Sequence, residues 1–182
     1  ALDDRLAKGQ GVYLARYLPG LDAYGVEAVG PLVRVAPDSP AEGLRKSASA
    51  RWNGALALLS SRVEPDPFGR RMDHLHLTWR AEADIEQDLV VKVRLVDPEQ
   101  ASVLWVSEGR RPVGGYTSTQ AWKRGAVVSD YVPLAWPAWV PPSSYRIEVG
   151  VFQRFGSGLP RQRDSDPWFD LGIFDMAPHT GG

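Results

Sequence analysis

The chain has 182 residues, with 21 Lys and Arg against 22 Asp and Glu, for a net charge of -1. That length fits one domain with a core of useful size, and without a basic excess to gather phosphates a dedicated nucleic-acid role is not expected. No cysteine is present, so disulfides and thiolate chemistry are excluded.

No apolar run approaches the roughly 18–20 residues a membrane span needs, and no signal peptide is visible. The chain starts at Ala1 and not at Met, as a processed protein or a segment of a longer one would. Gly (18) and Pro (15) fall in many short clusters, and seven Trp and six Tyr make a heavy aromatic load. Aromatic and β-branched runs between frequent turns are the pattern of an all-β sandwich or barrel.

Residues 1–11 read as one helical turn or a frayed end. Val12 to Leu18 reads as a strand ended by Pro19-Gly20, and Val26 to Ala36 as two short extended pieces broken at Gly30-Pro31. Residues 37–49, with two Pro, three Ser and a run of charges, read as a linker. The expected organisation is therefore a joining segment over 1–49 and a β-sandwich over 50–182.

The second part is clearer. Ala55 to Val63 is a strand candidate closed by Pro65-Asp66-Pro67. From His74 to Arg80, Leu75, Leu77 and Trp79 alternate with His74, His76, Thr78 and Arg80, the period of a half-buried strand. From Leu89 to Leu95, Leu89, Val91, Val93 and Leu95 face in, and Val90, Lys92 and Arg94 face out. Asp97-Pro98 turns the chain, and Val103 to Val106 returns as the partner. Arg111 to Gly125 is a long Gly-rich loop. Ala126 to Leu134 follows, its Pro133 marking an edge or a strand end. Tyr145, Ile147, Val149 and Val151 then alternate with Arg146, Glu148 and Gly150, and Trp168 to Met176 is the last strand. Strands with one wet and one dry face pack in pairs of sheets. The fold class expected is an antiparallel β-sandwich, immunoglobulin-like or jelly-roll-like.

The order of Leu95-Val-Asp-Pro, Arg111-Pro-Val-Gly-Gly-Tyr-Thr-Ser-Thr, Ala121-Trp-Lys-Arg-Gly-Ala-Val-Val and Pro141-Pro-Ser-Ser-Tyr-Arg-Ile-Glu-Val-Gly-Val-Phe resembles a known pattern. It is similar to the C-terminal soluble domain of bacterial polytopic membrane proteins of the glycosyltransferase (protein mannosyltransferase-like) superfamily. The resemblance runs from residue 12 onward, and its most specific piece is Gly114-Gly115 with Trp122 and Gly125 downstream. Two features depart from it: Tyr116-Thr117-Ser118 stands where Tyr-Pro-Thr is usual, and Asp97-Pro98-Glu99-Gln100 where the turn is commonly Asp-Gly-like. The resemblance implies an extracytoplasmic domain attached to a membrane protein. It implies no catalytic residue here, since the transferase chemistry belongs to the membrane part, and contact with a membrane only through a segment upstream.

No nucleophile elbow or phosphate loop is present, and Gly109-Arg-Arg-Pro-Val-Gly-Gly is no dinucleotide fingerprint because no helix follows it. His74 and His76 share a strand face at a spacing that suits a transition metal given a third ligand. Asp164, Asp166 and Asp170 crowd one loop, yet Arg161 and Arg163 interleave with them and the EF-hand Gly and Glu are missing. Both groups read as solvated polar residues, so neither metal nor cofactor is expected. Trp and Tyr on a sandwich rim can stack on sugar rings, which makes Tyr116, Trp122 and Trp139 the ligand-binding candidates. A Trp in a Gly- and Pro-rich loop is more often a plug over the open end of a sandwich, the first reading for Trp122, and Gly114, Gly115 and Gly125 suit turns with positive φ. The function expected is a non-catalytic accessory domain that holds a glycan or an acceptor protein. A protein-binding adhesion module is the alternative, with a hydrolase behind both.

Overall fold

The structure is a computed structural model, and it describes residues 2–9, 11–15, 25–29, 32–36, 49–65, 72–161 and 165–176. A short helix, α1 (Leu2–Ala7), precedes β1 (Val12–Leu14), β2 (Gly25–Val29) and β3 (Leu32–Ala36), which form a three-stranded sheet in the order β1-β3-β2. The expected strand from Val12 is described only to Leu14; the linker over 37–48 lies outside the described residues. The break at Gly30-Pro31 joins β2 and β3, which pair antiparallel with Val29 opposite Leu32.

Two four-stranded sheets follow. One takes β4 (Ala50–Trp52), β5 (Leu56–Glu64), β6 (Met72–Ala81) and β9 (Val127–Ala135) in the order β4-β5-β6-β9. The other takes β7 (Leu89–Val96), β8 (Val103–Val106), β10 (Ser144–Gln153) and β11 (Trp168–Asp175) in the order β11-β10-β7-β8. Every pairing within them is antiparallel. Strand β9 lies at the end of its sheet, where Pro133 costs no ladder bond.

The dry faces are those the alternation marks. Leu75, Leu77 and Trp79 of β6 are buried against Val91, Val93 and Leu95 of β7 and Ile147, Val149 and Val151 of β10 in one cluster. Trp52 and Trp79 meet edge to face with centroids 5.7 Å apart. Leu6 and Val35 join the same cluster, so α1 and β3 pack onto the sandwich.

The molecule is an all-β antiparallel sandwich, and its connectivity separates the two expected variants. Consecutive strands pair within one sheet (β4-β5-β6, β7-β8, β10-β11), whereas in a jelly roll most consecutive strands change sheet. Strand β6 lies beside β9 and β7 beside β10, while the links β6–β7 and β9–β10 both cross between sheets. That is the Greek-key interlock of an immunoglobulin-like sandwich. Tyr145, at the start of β10, donates its hydroxyl hydrogen to the carbonyl of Pro141 at 2.7 Å, the tyrosine corner of that fold.

Three expectations need correction. Ala50–Trp52 is a strand, too short to stand out beside a Ser-rich segment. Val90, expected to face water, is 6% exposed because the backbone of Gly109 and Arg110 lies over it. Glu148, also expected outside, is 6% exposed under Arg94 and Arg146.

Candidate ligand site at the Gly114–Gly115 end

The site grows from the way the chain leaves β8. Ser107 N–H donates to the carbonyl of Val93, and its hydroxyl oxygen accepts the Val93 N–H. Arg110 then exchanges both backbone bonds with Val91, at 2.8 and 3.0 Å, so residues 107–110 extend the sheet beside β7. Beyond them Pro112–Gly115 forms a tight 3-10 turn with Val113 at φ 53° and Gly114 at φ 63°. Gly115 follows at φ 81°. A β-branched residue in the left-handed region is strained by roughly 1–3 kcal/mol. The turn is held by Asp130 of β9, whose Oδ1 accepts the N–H of Val113 at 2.6 Å and that of Tyr131 at 2.9 Å. Burial pushes the carboxyl of Asp130 above its usual range, against the opposing pull of Arg110 and those two N–H groups.

This turn forms one wall of a cavity of about 500 Å³, within the range of small-ligand sites. Gly114, Gly115 and Arg111 come from the turn, Lys92 from β7, and Arg154 and Phe155 from the segment after β10. Gly109 belongs to the floor: a Cβ there would lie 3.0 Å from Val90 Cγ2 and 3.1 Å from Lys92 Cε. A side chain at position 109 would displace Lys92. Phe155 stands at the rim, 90% exposed, with the Arg154 guanidinium 4.8 Å from its ring centroid.

Asp88 anchors two of the cations. Arg111 Nε donates to both of its oxygens, at 2.9 and 3.1 Å, and Arg154 Nη1 reaches Oδ2 at 3.3 Å. The Arg111 hydrogen bonds hold Asp88 below the ordinary carboxylate range, so at neutral pH it orients arginines and is no proton donor. Lys92 belongs to a second group as well: its Nζ lies 5.0 Å from the Phe152 ring centroid, and Phe152 meets Trp168 edge to face at 5.2 Å. Arg94 covers Trp168 at 4.5 Å. Both rings meet over Gly150. The arrangement offers cations, an amide from Gln153 and one exposed aromatic face, which is binding chemistry.

The sequence candidates are not brought to one place. Gly114 and Gly115 line the cavity. Tyr116 is half-buried, packed on the core with its ring about the position a Gly114 Cβ would face, 3.4 Å away. Trp122 is 4% exposed; its carbonyl accepts the N–H of Ile85 and its indole N–H points to Thr117. It fills the sandwich end and leaves no face for a ligand. Gly125, at φ 87°, turns the chain into β9 and donates its N–H to Ala81. Trp139 is 64% exposed, but in the β9–β10 turn. Strand β9 separates it from Trp122 by roughly 25–30 Å at the usual rise per residue.

His74 bonds to the Tyr131 hydroxyl and stacks on its ring, and His76 Nε2 lies 3.0 Å from Glu64 Oε2. Asp166 accepts the backbone N–H of Trp168, and Asp170, which lies in β11 and not in the loop, accepts that of Gly172. Asp164, Arg163 and His179 lie outside the described residues. Among the described residues no group of three or more His, Asp or Glu is placed to hold a metal. The residues missed were Lys92, Arg111, Arg154 and Phe155. A usable signal existed for the first: alternation puts Lys92 and Arg94 on one outer face.

No protein-family model matches the chain, and no curated protein matches it. Among solved structures it is similar to the crystal structure of the C-terminal domain of wzt, with a TM-score of 0.44 and 12% identity over 76% of this chain and 90% of that one.

Proposed function

We propose that this chain is a non-catalytic, extracytoplasmic accessory domain of a membrane-anchored glycosyltransferase-like protein, and that it holds a glycan in the Gly114–Gly115 cavity. The observation that carries the glycan reading is the cavity itself: about 500 Å³, walled by polar groups, with Phe155 exposed at its rim. A sugar ring has an apolar face that stacks on an aromatic ring and an edge of hydroxyls that polar side chains bond. The parent protein and the compartment are supported by the residue pattern around Arg111-Pro-Val-Gly-Gly and Pro141-Pro-Ser-Ser-Tyr.

The test is a glycan array followed by calorimetry on each hit. Binding that Phe155→Ala removes, with an unchanged thermal midpoint, supports the reading; no hit, or hits indifferent to Phe155→Ala, overturns it. A second reading, a protein-binding module, is favoured by β8, a sheet-end strand with Val103 and Val106 48% and 44% exposed. It predicts concentration-dependent self-association or partner binding that Val106→Lys abolishes, since a charge on an edge blocks strand addition.

A further inference from the structure

We infer that the cavity selects a sugar that carries an oxyanion, a carboxylate or a phosphate. This rests on the glycan reading of the same cavity. Three cations line it, Lys92, Arg111 and Arg154. Asp88 is shared between the two arginines. No carboxylate among the described residues lies against Lys92, so its charge is not matched within the site.

Lys92 is the centre of the argument. Among the described residues it meets no carboxylate; its neighbour is the Phe152 ring. It is half-buried on β7, and Gly109 beside it leaves its stem the room it uses. An ammonium in that position is stabilised by an incoming anion more than by water it partly lacks. Arg154 is oriented by Asp88 and still carries donors beyond the single Nη1 bond. Phe155 beside it supplies the apolar surface that a bare ion does not need and a sugar ring does. An oxyanion between Lys92 and Arg154 with its ring on Phe155 uses all three.

The experiment titrates the purified chain by calorimetry with four probes: a tetramer of galacturonic acid, the neutral galactose tetramer, glucose 1-phosphate and inorganic phosphate. The expected result is that the uronate tetramer or glucose 1-phosphate binds at least about tenfold tighter than the neutral tetramer, the ratio one charge-assisted hydrogen bond supplies. Lys92→Gln and Arg154→Gln should each remove that preference, and Lys92→Arg should retain it. Which of the two acidic sugars binds tells carboxylate from phosphate. Equal binding of acidic and neutral tetramers, lost in Phe155→Ala, overturns the anion inference and leaves the glycan reading standing. Binding of inorganic phosphate as tight as any sugar, or no binding of any probe, overturns both. Circular dichroism and the thermal midpoint of each variant exclude unfolding as the cause, and Lys92 and Arg154 lie outside the core.

Discussion

The backbone N–H of Val113 is held 2.6 Å from the buried carboxylate of Asp130, across 17 residues of chain. This bond ties the cavity wall to β9, beside the burial of the Val113 side chain in the core. Val113 sits at φ 53°, which a β-branched residue avoids, and Gly114 and Gly115 continue the left-handed path. Its side chain is 1% exposed, so burial and the Asp130 bond together offset the strain. Replacing Asp130 would leave a buried N–H without its acceptor, at a cost of about 1–3 kcal/mol.

The same carboxylate makes stability depend on pH in a definite direction. Burial raises the pKa of Asp130 above the ordinary 3.8. A group raised on folding binds its proton more tightly in the folded state. Its stabilising effect is complete below the ordinary value and is lost as pH rises through the raised one. Wild type should therefore gain stability relative to Asp130→Asn as pH falls from about 7 toward about 4. Urea unfolding of both proteins across that range measures the difference; a flat or opposite trend refutes the assignment.

Gly150 predicts a second effect. A Cβ there would come within 2.7 Å of Phe152 Cε2 and 2.9 Å of Trp168 Cε3. Lys92 lies over the Phe152 ring and Arg94 over the Trp168 ring, so displacing either ring also disturbs a cation contact. Gly150→Ala should cost about 1–3 kcal/mol by forcing the rings apart. In a Trp168→Ala background the same change should cost clearly less, since one obstacle is gone. Equal costs in the two backgrounds would show that the rings are not what Gly150 accommodates.

How much of this was legible follows from what alternation encodes. Leu75, Leu77 and Trp79, and Ile147, Val149 and Val151, were readable as core because a period of two assigns a face. Alternation does not say what lies over the other face. Val90 and Glu148 were misread as wet because the Gly109–Arg110 backbone and Arg94 reach them from distant segments, while Arg146, two residues from Glu148 on β10, folds over it as well. The cavity was half legible. A Gly-Gly pair after a strand marks a special turn, so Gly114–Gly115 stood out. Lys92 and Arg154 come to line one cavity through the β7–β10 register, which sets Val90 opposite Phe152, and no local motif carries a register. Trp122 was legible as an unusual residue in a loop, yet sequence cannot distinguish a plug from a platform.

Tyr145 gives a sharper test of the connectivity. Its ring is 4% exposed and its hydroxyl spans the β9–β10 corner to Pro141. Tyr145→Phe keeps the ring and loses only the hydrogen bond, which should cost about 0.5–1.5 kcal/mol. Tyr145→Ala also empties the core position and should cost about 3–5 kcal/mol. Chemical denaturation midpoints at constant slope measure both. A Phe variant as stable as wild type would mean the corner bond adds nothing to packing.

Glu148 carries the last prediction, because two cations depend on it. Arg94 Nε lies 2.5 Å from one oxygen and Arg146 Nε 2.9 Å from the other. Glu148 is nearly desolvated, while the arginines keep 21% and 31% of their side chains exposed. Glu148→Gln preserves shape and removes the charge, leaving two guanidinium groups facing a neutral amide. Asp170, 4.0 Å from Arg146, recovers part of that loss for one arginine only. Because the arginines retain water, the cost should fall below that of a fully buried pair, at about 1–3 kcal/mol. Arg94 also covers Trp168, so the same change should loosen that ring and alter the near-ultraviolet dichroism. The exposed Lys123–Asp84 pair is the control: with 76% and 59% of the side chains in solvent, Lys123→Ala should leave the denaturation midpoint unchanged. If Glu148→Gln is equally silent, the two arginines owe their positions to the aromatic rings and the outer strands rather than to the charge beneath them.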